Sequence, residues 1–475
     1  MGDVTHLIGG RDVPGVGPEM EKRNPATGVV AGTFRAADPV QVREAVDAAR
    51  AAFRGGEWAR APFAQRQETL RRAGAAIRHS AGDLADVQVS ETGLLRTSAL
   101  RQIEGAAAWF DYYADYLATE GGEVFGKLAA ATTIVLREPV GVAALFAPWN
   151  VPIGLAAIKL APCLAAGNSA VLKPSEETPE TARLLVDLIA GAGLPRGVLN
   201  CVNGPGPSTG AALAEAQVDV IAFTGGHAGG AAVARAAAAR ALPVTLELGG
   251  KSANIVFADA DFDAALEGAL TAIFANNGQA CLAGARILVE APIAERFMAA
   301  FADRARAIRV GDPTDPETEI GPMISDSHRG RVTSFFDSAA RDGDIAVCGG
   351  TIPDRPGYYV APSAFRVASP KSRLWREEVF GPVAAFAIFG DESEAVRLAN
   401  DTEHGLVAYV WTRDVGRAMR VAGTVRAGTI LVNTVIQREL NAPFGGYGLS
   451  GVGREGGRFS WANFTEAKTV VLSHA

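Results

Sequence analysis

Between residues 139 and 249, short uninterrupted apolar runs alternate with Ala- and Leu-rich stretches of helical character, and this alternation constrains the fold more than any other feature. The runs are "VGVAALFAP", "SAVLKPS", "GVLNCVNG", "VDVIAFTGG" and "PVTLELGG"; between them lie stretches such as "TPETARLLVDLIAGAG" and "HAGGAAVARAAAARA". A strand that is apolar on both faces must be covered on both faces, and helices alternating with such strands supply the cover, so the pattern predicts parallel βαβ units. A second series follows: "SANIVFAD", "ARILVE", "GYYVAPSAF", "AAFAIFG", "LVAYVWT" and "GTILVNT". Two α/β domains are expected, meeting near Gly249–Gly250. Ahead of them, residues 38 to 120 carry apolar positions three and four apart and read as helices.

At 475 residues the chain exceeds one ordinary core, in keeping with two or three domains. A net charge of −7 gives no reason to expect nucleic acid or an anionic membrane as partner, and favours a small-molecule ligand. No basic stretch followed by an apolar core opens the chain, so no secretory signal is expected. The four cysteines, at 163, 201, 281 and 348, form no CxxC pair. They suggest neither a disulfide framework nor a metal site, but a reducing, cytoplasmic compartment. From Pro139 to Leu172 the only charge is Lys159, as in a membrane span. Pro148, Pro152 and Pro162 argue instead for a buried strand, a turn and a buried helix.

Three strand ends carry loops suited to a nucleotide. "NGPGPSTG" (203–210) and "FTGGHAGG" (223–230) each join a strand to a helix, where phosphates bind; "LKPSE" (172–176) offers a lysine and an acid to a ribose. Any one is equally well a plain strand-to-helix turn. For chemistry, "ANNGQACLAG" (275–284) places Cys281 among small neighbours that leave a thiol accessible. Glu247, ending a strand in "VTLELGGK", is a candidate base, and Asn150, at the forced turn "APWNVP", a candidate oxyanion donor. The bland readings are a small packed cysteine, a solvated strand-end acid and a turn asparagine.

Seven motifs then occur together in order: "FAPWNVP", "LKPSE", "FTGG", "LELGGK", "GQACLAGARI", "EEVFGPV" and "PFGGYGLSGVGREGG". In this the chain resembles the aldehyde dehydrogenase superfamily, from "NPATG" at residue 24 to "EAKTVV" near the C-terminus. The resemblance implies two doubly wound, Rossmann-like α/β domains plus a small β oligomerisation arm. It divides the chain into an NAD-binding domain (1–120 and 140–249), a catalytic domain (250–448) and oligomerisation strands (121–139 and 464–475). Cys281 would add to an aldehyde, with Asn150 and the Cys281 amide holding the oxyanion and Glu247 activating water. NAD would lie against Pro148 and Trp149, with its adenosine at Lys173, Glu176 and Gly206 and its pyrophosphate at Gly225 and Gly226. Glu378 and Phe380 would meet the nicotinamide end. Lys159 and Glu455 match positions proposed to relay protons. Arg101 and Arg438 fall where members acting on muconic-type semialdehydes hold the substrate's carboxylate, so 2-hydroxymuconic semialdehyde is the expected kind of substrate. Neutral aromatic or aliphatic aldehydes are the alternative. The subunits would assemble as a homodimer or homotetramer.

Two departures stand out. After "FTG" the family offers Ser, Thr and Glu where this chain has Gly226, His227 and Ala228, and the family's lysine in "GGYK" is Gly448. Two other classes compete. A cysteine acyl hydrolase would need a histidine partner, and none of the six histidines lies in a suitable setting. A non-catalytic binding protein would have no need of Cys281, Glu247 and Asn150 together.

Overall fold

The computed structural model describes residues 4–128, 130–435 and 437–474. Two sheets dominate it. The first has eight strands in the spatial order Arg11–Val13, His6–Ile8, Leu199–Cys201, Ser169–Lys173, Val142–Phe146, Val220–Thr224, Val244–Glu247 and Gly451–Val452. Its five central strands are parallel, while the outer pairings are antiparallel. The chain runs outward from Val142–Phe146 in one direction and then returns to its other side with Val220–Thr224. That reversal opens a crevice at the carboxyl ends of the strands, where ligands of open α/β sheets bind. Asn150, Lys173, Gly225 and Glu247 all lie at or just beyond those ends.

The second sheet has seven strands, ordered Ile345–Cys348, Ser363–Arg366, Val383–Phe389, Arg286–Glu290, Ala253–Val256, Val407–Trp411 and Thr429–Val432. All pairings except the first are parallel. The expected strand "GYYVAPSAF" begins only at Ser363. Tyr358–Val360 are buried, but Tyr358 pairs its backbone with Pro25 and Met323 instead of a neighbouring strand. Between Glu247 and Ala253 the chain passes directly from the first sheet to the second, through Gly249 and Gly250.

The stretch that mimicked a membrane span is the strand Val142–Phe146, a turn, and the helix Pro152–Ala165. From Ala156 to Ala165 every residue of that helix is buried, because it packs between the first sheet and the helix Arg96–Leu117. A helix that is apolar all round belongs in a core. Its one charge, Lys159, meets the equally buried Glu455, and the pairing offsets part of the cost of taking both ions out of water. Among the described residues no helix is long and apolar enough to cross a membrane.

Within the two segments expected as oligomerisation strands, 121–139 and 464–475, three strands pair with one another. Glu123–Leu128, Ala131–Pro139 and Thr465–Ser473 make a separate antiparallel sheet, the last two paired in continuous register from Thr465↔Pro139 to Ser473↔Ala131. Val124, Phe125, Leu136, Val471 and Leu472 are exposed on it.

Candidate active site

The loop carrying Cys281 takes its shape from three consecutive left-handed residues. The helix Phe262–Phe274 ends, and Asn276, Asn277 and Gly278 follow with φ of 57°, 58° and 70°. Asparagine and glycine are the residues that tolerate this region. Asn277 is buried and pinned: its amide nitrogen donates to the Gly93 and Pro322 carbonyls at 3.1 Å each, and its oxygen accepts from Gly321 at 2.8 Å. Asn276 donates to the carbonyls of Asn150 and Gln279, each at 3.0 Å. The Asn150 amide itself donates to the Gln279 carbonyl at 2.9 Å. A primary amide has two N–H groups, so the second remains for a ligand. Asn276 and Gln279 thus tie the Asn150 turn to the loop that carries Cys281.

Cys281 is half-buried, whereas Cys163, Cys201 and Cys348 are buried in the two cores. Burial pushes its thiol up to about 12, the carboxylates of Glu378 and Glu247 push it further the same way, and Arg438 opposes them. The thiol therefore rests protonated and would have to lose its proton to act as a nucleophile. Glu247 lies within electrostatic reach and is 4 % exposed, and neither of its carboxylate oxygens has a hydrogen-bond partner. Burial raises its pKa well above the ordinary value, and Glu455 adds to this, while Lys159, Arg438 and Arg454 act against it. A buried carboxylate with no partner is costly to keep and is poised to take a proton. Gly445 makes room for it: a Cβ there would stand 2.6 Å from Glu247 Oε1.

The Gly249–Gly250 turn brings two further groups together. Glu378 Oε1 accepts from the Gly250 N–H at 2.9 Å. A Cβ on Gly249 would collide with the Glu378 carboxylate, and one on Gly250 would stand 2.6 Å from the Cys281 carbonyl oxygen. At Gly250, where the clash would be with backbone, glycine is what lets the two segments meet. Phe380 has φ of 61°, unusual for a bulky residue, and packs edge-on to Trp149 at 5.3 Å between ring centroids.

At the far end of the first sheet, Lys173, Glu176 and Gly206 also come together. Lys173 Nζ donates to the Pro174 carbonyl at 2.7 Å and to Glu176 Oε2 at 3.4 Å, while the Gly206 N–H donates to Glu176 Oε1 at 3.4 Å. Between the two ends, Gly226 caps the helix His227–Ala238 with no side-chain bond to its first amides, and a Cβ on Gly226 would meet nothing within 4 Å. The amides at this helix end are open to an anion. Gly448 has φ of 57°, and a Cβ there would collide with the Glu403 carbonyl. The turn that pairs Gly448 with His404 thus excludes the family's lysine.

Arg438 is exposed, yet its guanidinium lies 4.5 Å from the Phe444 ring and 5.2 Å from Trp109. Phe444 packs on the same apolar cluster as Cys281. Two aromatic faces hold the planar group, and its charge reaches both Cys281 and Glu247. Arg101 is exposed on the helix Arg96–Leu117 that also supplies Trp109, with Nη2 donating to Ser98 Oγ at 2.9 Å.

Fold and site together define an NAD(P)-type α/β oxidoreductase architecture built around a thiol. The aldehyde dehydrogenase family matches residues 13–470, and the chain belongs to that family. Among its relatives, 2-hydroxymuconic semialdehyde dehydrogenase of Pseudomonas sp. (strain CF600) is 40 % identical, over 99 % of this chain and 100 % of that protein. The 2-aminomuconic 6-semialdehyde dehydrogenase of Pseudomonas sp. is also 40 % identical, over 94 % of each chain. Among solved structures, the NAD+ complex of an aldehyde dehydrogenase from Bacillus cereus superposes with a TM-score of 0.98 at 34 % identity, covering 100 % of this chain and 97 % of that one. Betaine aldehyde dehydrogenase of Staphylococcus aureus, also solved with NAD+, gives 0.97 at 34 % identity, covering 99 % and 95 %.

Proposed function

We propose that the chain oxidises a carboxylate-bearing aldehyde to the acid with NAD as hydride acceptor. The observation that carries this reading is the pairing of a half-buried thiol with a buried, unpartnered carboxylate beside a glycine-lined crevice. The residues of that crevice fit the dinucleotide. Lys173, Glu176 and Gly206 form a polar pocket for the adenosine ribose, and Glu176 would accept from both hydroxyls and repel a 2′-phosphate. Gly225, Gly226 and the open helix end suit a pyrophosphate, and Pro148, Trp149, Glu378 and Phe380 flank the nicotinamide side. When bound, NAD supplies an acceptor for the hydride of the substrate's C–H bond.

The protein's own groups do the rest. Cys281 Sγ bonds to the aldehyde carbon as its proton passes to the buried base. The carbonyl oxygen becomes an oxyanion, held by the free Asn150 N–H and the Cys281 backbone N–H. Loss of hydride leaves a thioester on Cys281. Glu247 takes a proton from water, the resulting hydroxide attacks the thioester, and the acid departs as Cys281 leaves with the electron pair. The Lys159–Glu455 pair, whose charges act on Glu247, provides the proton's onward route. In this reading residues 1–120 and 140–249 bind the cofactor and 250–448 carry the catalytic loop.

Arg438 and Arg101 supply the preference for an acid group. A guanidinium fork binds a carboxylate bidentately, and the rings of Trp109 and Phe444 hold the fork of Arg438 in place. The named activities of the muconic semialdehyde relatives agree with a substrate such as 2-hydroxymuconic semialdehyde. Arg438→Ala is expected to raise KM for that substrate roughly tenfold to a hundredfold, the worth of a charge-assisted pair, and to leave KM for a neutral aldehyde of similar size within about twofold. Steady-state kinetics on both substrates decide it, and equal effects would remove Arg438 from substrate recognition.

The arm sheet, with its exposed apolar side chains, is read as the surface through which subunits pair into a homodimer or homotetramer. Light scattering should give a multiple of the chain mass; a stable monomer contradicts this.

A further inference from the structure

We propose that Gln102, held by Gln88, is a positioning residue: the two form an amide relay that orients Asn276 and so sets the Asn150 turn against the Cys281 loop. The proposal rests on the reading of Asn150 and the Cys281 amide as the oxyanion pocket. Gln88, on the helix Ala81–Thr92, is fully buried, and Gln102 lies on the helix Arg96–Leu117 packed beside it. Gln88 Nε2 donates to Gln102 Oε1 at 2.6 Å, and Gln102 Nε2 donates to Asn276 Oδ1 at 3.0 Å. Asn276 Nδ2 in turn donates to the carbonyls of Asn150 and Gln279.

The polarity of the relay is fixed from its Asn150 end. Carbonyl oxygens only accept, so the Asn276 amide must turn its N–H groups to Asn150 and Gln279 and its oxygen to Gln102. Gln102 meets that oxygen with its own N–H, which leaves its oxygen for Gln88. A flipped Asn276 amide would set its oxygen against two carbonyl oxygens, and the two segments would lose their shared donor. Asn276 is also the first of three left-handed residues, a conformation that its surroundings must hold. The next of them is held from the same helix as Gln88: Asn277 Nδ2 donates at 3.1 Å to the carbonyl of Gly93, which caps Ala81–Thr92. One helix thus grips both asparagines, Asn277 directly and Asn276 through Gln102. Asn150 follows the strand Val142–Phe146 of the first sheet, whereas the Cys281 loop leads into Arg286–Glu290 of the second. The relay therefore fixes two groups that the two sheets supply separately.

The test removes the donor and keeps the shape. In Gln102→Glu the carboxylate still accepts from Gln88 but offers no N–H to Asn276. Gln102→Met, neutral and of similar length, controls for the added charge. Both are expected to lose at least about tenfold in kcat, with KM for the aldehyde and the calorimetric Kd for NAD within about twofold of the parent. Asn150→Ala serves as the reference and should lose about 10²–10³ in kcat, the worth of one oxyanion donor. Adding Gln102→Glu to Asn150→Ala should cost less than about a further twofold, because the relay acts through a pocket already lost. If Asn150→Ala loses turnover and neither Gln102 variant does, the relay is overturned while the oxyanion pocket stands. If Asn150→Ala turns over normally, the oxyanion reading fails and the relay falls with it. Full additivity in the double variant, or a loss of kcat matched by an equal loss of NAD affinity, would give Gln102 a merely structural role and overturn the proposal.

Discussion

Cys281→Ser is expected to lose aldehyde oxidation by a factor on the order of 10⁴ or more in kcat, while NAD binding measured by calorimetry stays within about twofold of the parent. The size follows from the chemistry. A serine hydroxyl is a far weaker nucleophile than sulfur, and its alkoxide is a poor leaving group from an ester when the thioester would have turned over. The selectivity follows from the proposed site: the crevice read as the cofactor's is lined by Gly249, Gly250, Glu378 and the first sheet, and Gly250 meets Cys281 through backbone. Burial already holds the thiol up near 12, so the parent depends on the local base and on bound ligands to lose the proton. Substantial residual dehydrogenase activity in the serine variant would take Cys281 out of the mechanism.

Glu247→Gln carries the second large effect. Removing a general base typically costs about 10²–10⁴, and here the loss should fall on hydrolysis of the thioester. An acyl group should then accumulate on Cys281 and appear as added mass in the intact protein after one turnover. The pH dependence should change too. A base acts as its carboxylate, and burial with Glu455 nearby raises the pKa of Glu247 well above the ordinary value. Activity of the parent should therefore fall as pH drops through a value above the usual carboxylate range, and that limb should vanish in the variant. Normal turnover, or an unchanged acid limb, would assign the base to another residue.

Much of this was readable in the amino-acid order, and the parts that were not share a physical cause. The parallel strands of both sheets announce themselves because burial on both faces forces continuous apolar runs. The strand Gly451–Val452, which closes the edge of the first sheet against Leu246 and Glu247, is too short to leave any periodicity. Tyr358–Val360 look like a strand because they are buried, and only the backbone partners Pro25 and Met323 show otherwise. Cys281, Glu247, Asn150 and Glu378 could be picked out as candidates through motifs. Asn276 and Asn277 offered a signal that sequence reading can use, since two asparagines before a glycine after an apolar helix suggest a left-handed turn. Trp109 offered none. It works through Arg438, 329 positions away, and nothing local marks such a pairing. Gly448 is the reverse case: a departure visible in the sequence whose reason, the Glu403 carbonyl beside its missing Cβ, required the structure.

The central claim is that this thiol site couples oxidation of an acid-bearing aldehyde to reduction of NAD. The most direct measurement is the initial rate of NADH formation by the purified protein with 2-hydroxymuconic semialdehyde, set against benzaldehyde and a short aliphatic aldehyde, with NAD and with NADP. We expect kcat/KM to be highest for the semialdehyde with NAD and lower by at least about tenfold with NADP, because Glu176, as the proposed ligand of the adenosine ribose, would repel a 2′-phosphate. A preference for the neutral aldehydes, comparable efficiency with both cofactors, or product formed without any nicotinamide would contradict it.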